Sequence, residues 1–255
     1  MFRILIMTVG LVYFVTTVQS DESAVPASDP AAREYKLLID EFESDRNARE
    51  SAGGFIALAE QFPKSPVAVD SLVWVVSNVS RGRDLDKATA LLTTNHWTSD
   101  RLAPVCSQLP MRLSRASETL LRQLGKKSPH KAVQAQARFH LAVYLQRQLS
   151  LVDAFKKEEA RRQQFEQFYG TDFTGHLAKL DVAASLKEIE SIYEDITKSF
   201  PKVRLDDSTM GVTARQRLFA IRNLSLGRTA PEITGQDIDG RTFKLSDYRG
   251  KVVLL

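Results

Sequence analysis

The sequence predicts a mainly α-helical chain of repeat-like helical hairpins, followed by a short β-containing segment. Three observations predict it. Apolar residues recur at three- and four-residue spacing through most of residues 29–224. Glycine and proline are scarce, 12 and 9 in 255 residues, well below the combined ~12% of an average protein, which disfavours a turn-rich β fold. After Leu224 the pattern changes to short β-prone runs around an Asp-Gly turn.

The helices follow in order. Asp29-Pro30 offers an N-cap and a proline at the first helical position, and Tyr35, Leu38, Ile39 and Phe42 follow as one face. Phe55, Leu58, Ala59 and Phe62 form the next stripe, weakened at its start by Gly53-Gly54 and closed by Pro63. Ser65-Pro66 opens a third helix, whose run Val67, Val69, Leu72, Val73, Trp74, Val75, Val76 and Val79 is apolar enough to be buried on most sides. Helices are expected at 84–94, 99–109 and 112–124. Ser128-Pro129 is expected to cap a long helix through Leu149, with Val133, Ala137, His140, Leu141, Tyr144 and Leu145 on one face. A charged segment with Phe155, Phe165 and Phe168 spans 151–168, Gly170 to Gly175 reads as a turn, and Leu177 to Phe200 reads as one amphipathic helix ended by Pro201. A last helix is expected over 208–223. Gln61 to Pro66, Gly125 to Pro129 and Ser199 to Lys202 each join two helices through a short basic turn. Their spacing is irregular and unlike the ~34 residues of a tetratricopeptide array.

Beyond Leu224, Glu232 to Asp237 and Thr242 to Leu245 flank the turn Ile238-Asp239-Gly240-Arg241, a hairpin signal. Ser246 to Gly250 reads as a polar helical turn, and Val252 to Leu255 as a buried central strand. The chain stops inside that strand, so residues 225–255 are expected to be the incomplete opening of a further domain.

At the other end, Met1-Phe2-Arg3 precedes an apolar run from Ile4 to Val18, with Val18 and Ser20 at −3 and −1 of a cleavage site before Asp21. Residues 1–20 therefore read as a signal peptide, with an uncleaved N-terminal anchor as the alternative, and residues 21–28 as a linker; either way the rest of the chain is extracytoplasmic, periplasmic or secreted, without stable membrane insertion once the signal is removed. Lys+Arg and Asp+Glu number 35 and 31. They interleave, as in Lys156-Lys157-Glu158-Glu159-Ala160-Arg161-Arg162, without the one-sign stripe of a nucleic-acid interface.

Little catalytic chemistry can be assembled from this composition. The one cysteine, Cys106, sits in an apolar helical context and reads as a buried, inert thiol. His96, His130, His140 and His176 show no metal-ligand spacing; His130 and His140 are separated by about 1000° of helical rotation. Asp206-Asp207 and Asp237/Asp239 read as loop and hairpin acids, and Trp74 and Trp97 as core or interface aromatics. Gly53-Gly54 lacks the following Gly-Lys-Ser/Thr of a phosphate loop. No catalytic, cofactor-binding or metal-binding residue is assigned, and no cofactor is expected.

Gly227-Arg228-Thr229-Ala230-Pro231-Glu232-Ile233 followed by Asp237 to Leu255 resembles the opening of a redoxin domain: "G-x-x-A-P", a "D-x-D-G" hairpin, "L-S-D-Y-x-G-K" and an apolar strand, in order. That thioredoxin-fold superfamily holds extracytoplasmic thiol–disulfide oxidoreductases and peroxiredoxins of the alkyl hydroperoxide reductase and thiol-specific antioxidant type. The resemblance implies an α/β thioredoxin-like domain after the helical one. Within it Pro231, Asp239-Gly240, Gly250 and Val252 to Leu255 are structural, and the reactive cysteines, as Cys-x-x-Cys or Thr-x-x-Cys, lie beyond Leu255. A helix N-terminus would there stabilise the thiolate. It implies a redox partner protein or a peroxide as substrate of the longer protein, this chain being inactive alone, with the helical domain offering a surface for a protein partner. The alternatives are a cysteine-free thioredoxin-like domain used for binding, and a secreted helical scaffold with a non-catalytic tail.

Overall fold

The computed structural model describes residues 29–157, 159–225 and 228–254; the expected signal peptide and linker lie outside them. Eleven α-helices form among the described residues: α1 Pro30–Asp45, α2 Ala48–Gln61, α3 Pro66–Asn78, α4 Arg83–Asn95, α5 Ala103–Gln108, α6 Arg115–Lys127, α7 Lys131–Lys157, α8 Glu159–Tyr169, α9 Thr171–Ala178, α10 Val182–Ser199 and α11 Met210–Asn223. Consecutive helices pack as hairpins from α1 to α4. Then α6 pairs with α7, α7 with α10, and α10 with α11. Two small antiparallel hairpins complete the fold: β1 Arg204–Leu205 with β2 Ser208–Thr209, and β3 Thr234–Gln236 with β4 Thr242–Lys244.

The helix starts are built as the sequence dictates. Asp29 Oδ1 accepts from the Ala31 amide at 3.0 Å with Pro30 at the first position, and Ser65 Oγ accepts from Val67 N at 3.3 Å ahead of Pro66. The αL conformation of Arg46, φ 58°, turns the chain between α1 and α2. α3 is the centre of the first half. Val67, Ala68, Val69, Leu72, Trp74, Val75 and Val76 are all buried on it. Trp74 stacks on Phe55, ring centroids 3.9 Å apart, and takes the edge of Phe42 at 4.8 Å. Pairs of this kind add about 0.5–1.5 kcal/mol each beyond burial. The expected face of α7 is buried in full, from Val133 to Leu145, and this helix links the two halves of one continuous core.

The differences from expectation have local causes. Residues 99–109 do not form one helix. Pro104 and Pro110, at first-turn positions, divide the segment into the 3-10 turn Asp100–Leu102, α5, and the 3-10 turn Leu109–Met111. α6 starts later than 112, because Ser114 caps it by accepting from Ser117 N at 3.2 Å. Ser128-Pro129 does not open α7; Ser128 Oγ accepts from His130 N at 3.3 Å, and the helix begins at Lys131 and runs past Leu149 to Lys157. Gly170 to Gly175 is not a turn: Gly170, φ 84°, starts α9, which runs through Gly175. The expected helix from Leu177 to Phe200 is broken, and α10 restarts where Asp181 Oδ1 accepts from Ala184 N at 3.0 Å. On α10 Leu186 is partly exposed, while Ile189, Tyr193 and Ile196 are buried. The hairpin β1–β2 occupies the start of the expected last helix, with Asp206 at φ 50° in its turn.

The hairpin β3–β4 forms where expected, with Gln236 opposite Thr242. Its turn is organised by Asp237, whose Oδ1 accepts from Asp239 N at 3.0 Å and Arg241 N at 2.8 Å; Gly240 takes φ 77°. A 3-10 turn, Leu245–Tyr248, follows, as the polar helical turn required. The expected buried strand does not form: residues 252–254 have no strand partner, and Val252 and Leu254 are 104% and 99% exposed. An apolar strand is buried only between neighbouring strands or under helices, and no described residue beyond Leu218 is buried.

Candidate functional site

Cys106 has the inert environment the sequence predicts. It is fully buried on α5, its thiol donates to the Leu102 carbonyl at 3.3 Å, and burial pushes its pKa up to about 12. A nucleophilic thiol needs the opposite shift. The four histidines are dispersed. His96 ends α4, His130 Nε2 lies 3.0 Å from the Thr98 carbonyl oxygen, His140 is buried on α7, and His176 lies on α9. Among the described residues no three His, Cys, Asp or Glu side chains are grouped to hold a metal ion. Asp206-Asp207 and Asp237/Asp239 lie in the two hairpin turns. Trp74 is a core residue, and Trp97 packs against the same core.

Two constellations go beyond the candidates legible in the sequence. The first is a buried polar knot around Glu118 of α6, whose side chain is 6% exposed. Its carboxylate accepts from Arg115 at 2.6 Å and Arg122 at 2.8 Å, three residues before it and four after it on the same helical face. From α7, Gln148 Nε2 donates to it at 3.3 Å, and His176 Nε2 of α9 lies 3.9 Å away. Tyr144 donates to the Ser114 carbonyl at 2.7 Å, and burial followed by the Glu118 charge raises its pKa. Arg122 also pairs with Glu188 of α10, and that bond chiefly raises the guanidinium pKa. Burial, then Arg115, lowers the pKa of His176. The knot ties α6, α7, α9 and α10 together. With both arginines on its carboxylate, Glu118 is committed to structure rather than to proton transfer. The spacing Arg115, Glu118, Arg122 was the readable signal, three and four residues apart.

The second is a cleft of about 300 Å³ between the α3–α4 connection, the turn ending at Met111 and the α8–α9 connection. Four guanidinium groups line it, from Arg49, Arg81, Arg83 and Arg112, against one carboxylate, Asp86. Arg112 is spent on structure: it donates to the Val79 carbonyl at 3.0 Å and the Ser77 carbonyl at 2.7 Å, closing the end of α3. Burial lowers its pKa. Arg81 lies over the ring of Phe168, 4.2 Å from its centroid, and Phe168 is 52% exposed. Gly82 and Gly170 start α4 and α9 at φ 107° and 84°, each without a side-chain cap. Arg81-Gly82-Arg83 is visible in the sequence as a doublet of basic residues; its convergence with Arg49 and Phe168 depends on three distant segments and is not.

No family model, curated protein or solved structure matches this chain. No helix among the described residues is long and apolar enough to cross a membrane.

Proposed function

We propose that this chain supplies a helical binding module and the opening of a redoxin domain in an extracytoplasmic protein, a thiol–disulfide oxidoreductase or a peroxiredoxin-like antioxidant. The observation that carries the reading is the order of features from Gly227 to Leu255. A proline-led approach, a hairpin turned by Asp237 and Gly240, the "L-S-D-Y" turn and an apolar run follow one another as in the opening of that domain. Gly240 and Gly250, at φ 77° and 80°, both take a left-handed backbone conformation in which a side chain would be strained. The thiol chemistry belongs, on this proposal, to cysteines C-terminal to Leu255; Cys106, with its pKa near 12, is not part of it. The helical module, residues 29–224, positions a redox partner or another protein.

A second reading, a helical binding protein with a non-catalytic tail, is favoured by the contrast between the inert thiol and the open, arginine-lined cleft. Peptide mapping of the native protein past Leu255 separates the two, together with assays of disulfide reduction and peroxide consumption. Cys-x-x-Cys with reductase activity assigns the oxidoreductase. Thr-x-x-Cys with peroxide consumption assigns the antioxidant. A native protein with neither motif and neither activity overturns the redox reading and leaves the binding protein.

A further inference from the structure

We propose that the cleft bounded by Arg49, Arg81, Arg83 and Phe168 is a binding site for a small organic oxyanion, a phosphate or carboxylate carried on an apolar or aromatic body. Five arginines of the helical module are held by carboxylates, and others, such as Arg46 and Arg147, lean on backbone or sulfur acceptors. Arg101 is held by Asp70, Arg115 and Arg122 by Glu118, Arg138 by Asp195, and Arg222 by Glu190 and Glu194. Arg49, Arg81 and Arg83 instead line one cleft together, with Asp86 as its one carboxylate, and none of the three forms an ion pair among the described residues. Solvent screens part of the repulsion among these exposed side chains, and an anion held between them relieves the rest.

The chemistry of the walls fixes the ligand class. A guanidinium presents a planar fork of donors that matches two oxygens of a phosphate or carboxylate. The amides at the start of α4 and α9 are free of side-chain caps beside Gly82 and Gly170 and add weaker, fixed donors. The acids of those first turns, Asp84, Asp86 and Asp172, partly offset them, so the arginines carry the attraction. Phe168 and Met111 line the same cleft, exposed by 52% and 64%. They give the ligand's body an apolar surface, with the Arg81 guanidinium already stacked on Phe168. A volume of about 300 Å³ is at the small end of ligand pockets and admits a compact molecule.

The test is titration of the purified full chain with inorganic phosphate, phenyl phosphate, benzoate and, at matched ionic strength, chloride, read by calorimetry and by thermal unfolding. Phosphate, benzoate or both are expected to bind saturably where chloride does not, and phenyl phosphate to bind several-fold tighter than inorganic phosphate through Phe168. Arg81→Gln with Arg83→Gln is expected to weaken binding at least tenfold. The exposed pair Lys36→Gln with Lys187→Gln removes the same charge elsewhere and is expected to leave binding unchanged. Binding by phosphate alone or benzoate alone assigns the oxyanion's source. Responses equal to chloride for every oxyanion overturn the proposal. So does binding that survives the arginine substitutions, or that falls equally in the lysine control. Circular dichroism of both double variants confirms that each is folded before it is scored.

Discussion

Glu118 is the residue on which the second half of the helical module turns. Its carboxylate is enclosed, yet its partners Arg115 and Arg122 keep 41% of their side-chain surface in water. The bonds are therefore partly screened, and the cost of losing them lies below that of a wholly buried pair. Glu118→Gln keeps the shape and the contact with Gln148, but offers two guanidinium groups a weaker acceptor. We expect a loss of about 1–3 kcal/mol by urea unfolding; a loss below about 0.5 kcal/mol would show that the knot is ornamental. His140 sets an acid limit. It is buried on α7 with Nε2 unpartnered, and burial lowers its pKa to about 4 from 6.5, against a smaller opposing pull from Asp206. Between those values the unfolded chain takes up a proton that the folded chain refuses. Its contribution is thus complete above pH 6.5 and lost as the pH falls toward 4, on the order of 3 kcal/mol. Unfolding curves of His140→Gln from pH 4.5 to 6.5 are expected to depend less on pH than those of the parent, and parallel profiles would rule the mechanism out.

At the scale of elements, two helical glycines should respond with opposite signs. Gly53 lies exposed in α2, and nothing stands within 4 Å of the place a Cβ would take, so Gly53→Ala is expected to stabilise by about 0.5–1 kcal/mol. In α11 a Cβ on Gly211 would meet Pro201 backbone atoms at 2.7 and 2.8 Å, so Gly211→Ala must push α11 off the chain end of α10 and is expected to destabilise by at least ~1 kcal/mol. Thermal denaturation of both variants decides; a stabilised Gly211→Ala would contradict the close approach. What was legible among the elements follows the same logic of local against distant causes. Ser65-Pro66 and Asp29-Pro30 act on their own helices and were readable, as was the buried face of α7. The break between α9 and α10 was not, because Leu177 and Leu180 continue the apolar spacing across it, while the i→i+3 bonds of Lys179 and Leu180 close α9 and the Asp181 cap opens α10. The end of α7 lacked any breaker near Leu149, and the helix accordingly runs on.

In the whole molecule, the core closes before the tail begins. Leu218 of α11 is the last buried side chain among the described residues, and the β3–β4 hairpin rests on its own contacts, Phe243 against Tyr248 and Ser246 N on Glu232 Oε1 at 3.0 Å. The helical class was legible because helix periodicity is local. The arginine cleft was not, since Arg49, Arg83 and Phe168 meet only after α2, α4 and α8 have packed. The redoxin resemblance survives as a proposal, carried by a short ordered motif and not by a core. On that proposal the chain divides into a self-sufficient helical module and a segment that belongs to another folding unit. Deleting residues 227–255 tests that division most directly. The expected melting temperature is within about 2 °C of the parent, since 1 kcal/mol shifts a domain of this size by roughly 2–4 °C. Higher solubility is also expected once the exposed Val252 and Leu254 are gone. A fall of more than about 5 °C would contradict the division, by showing that the tail holds the helices together.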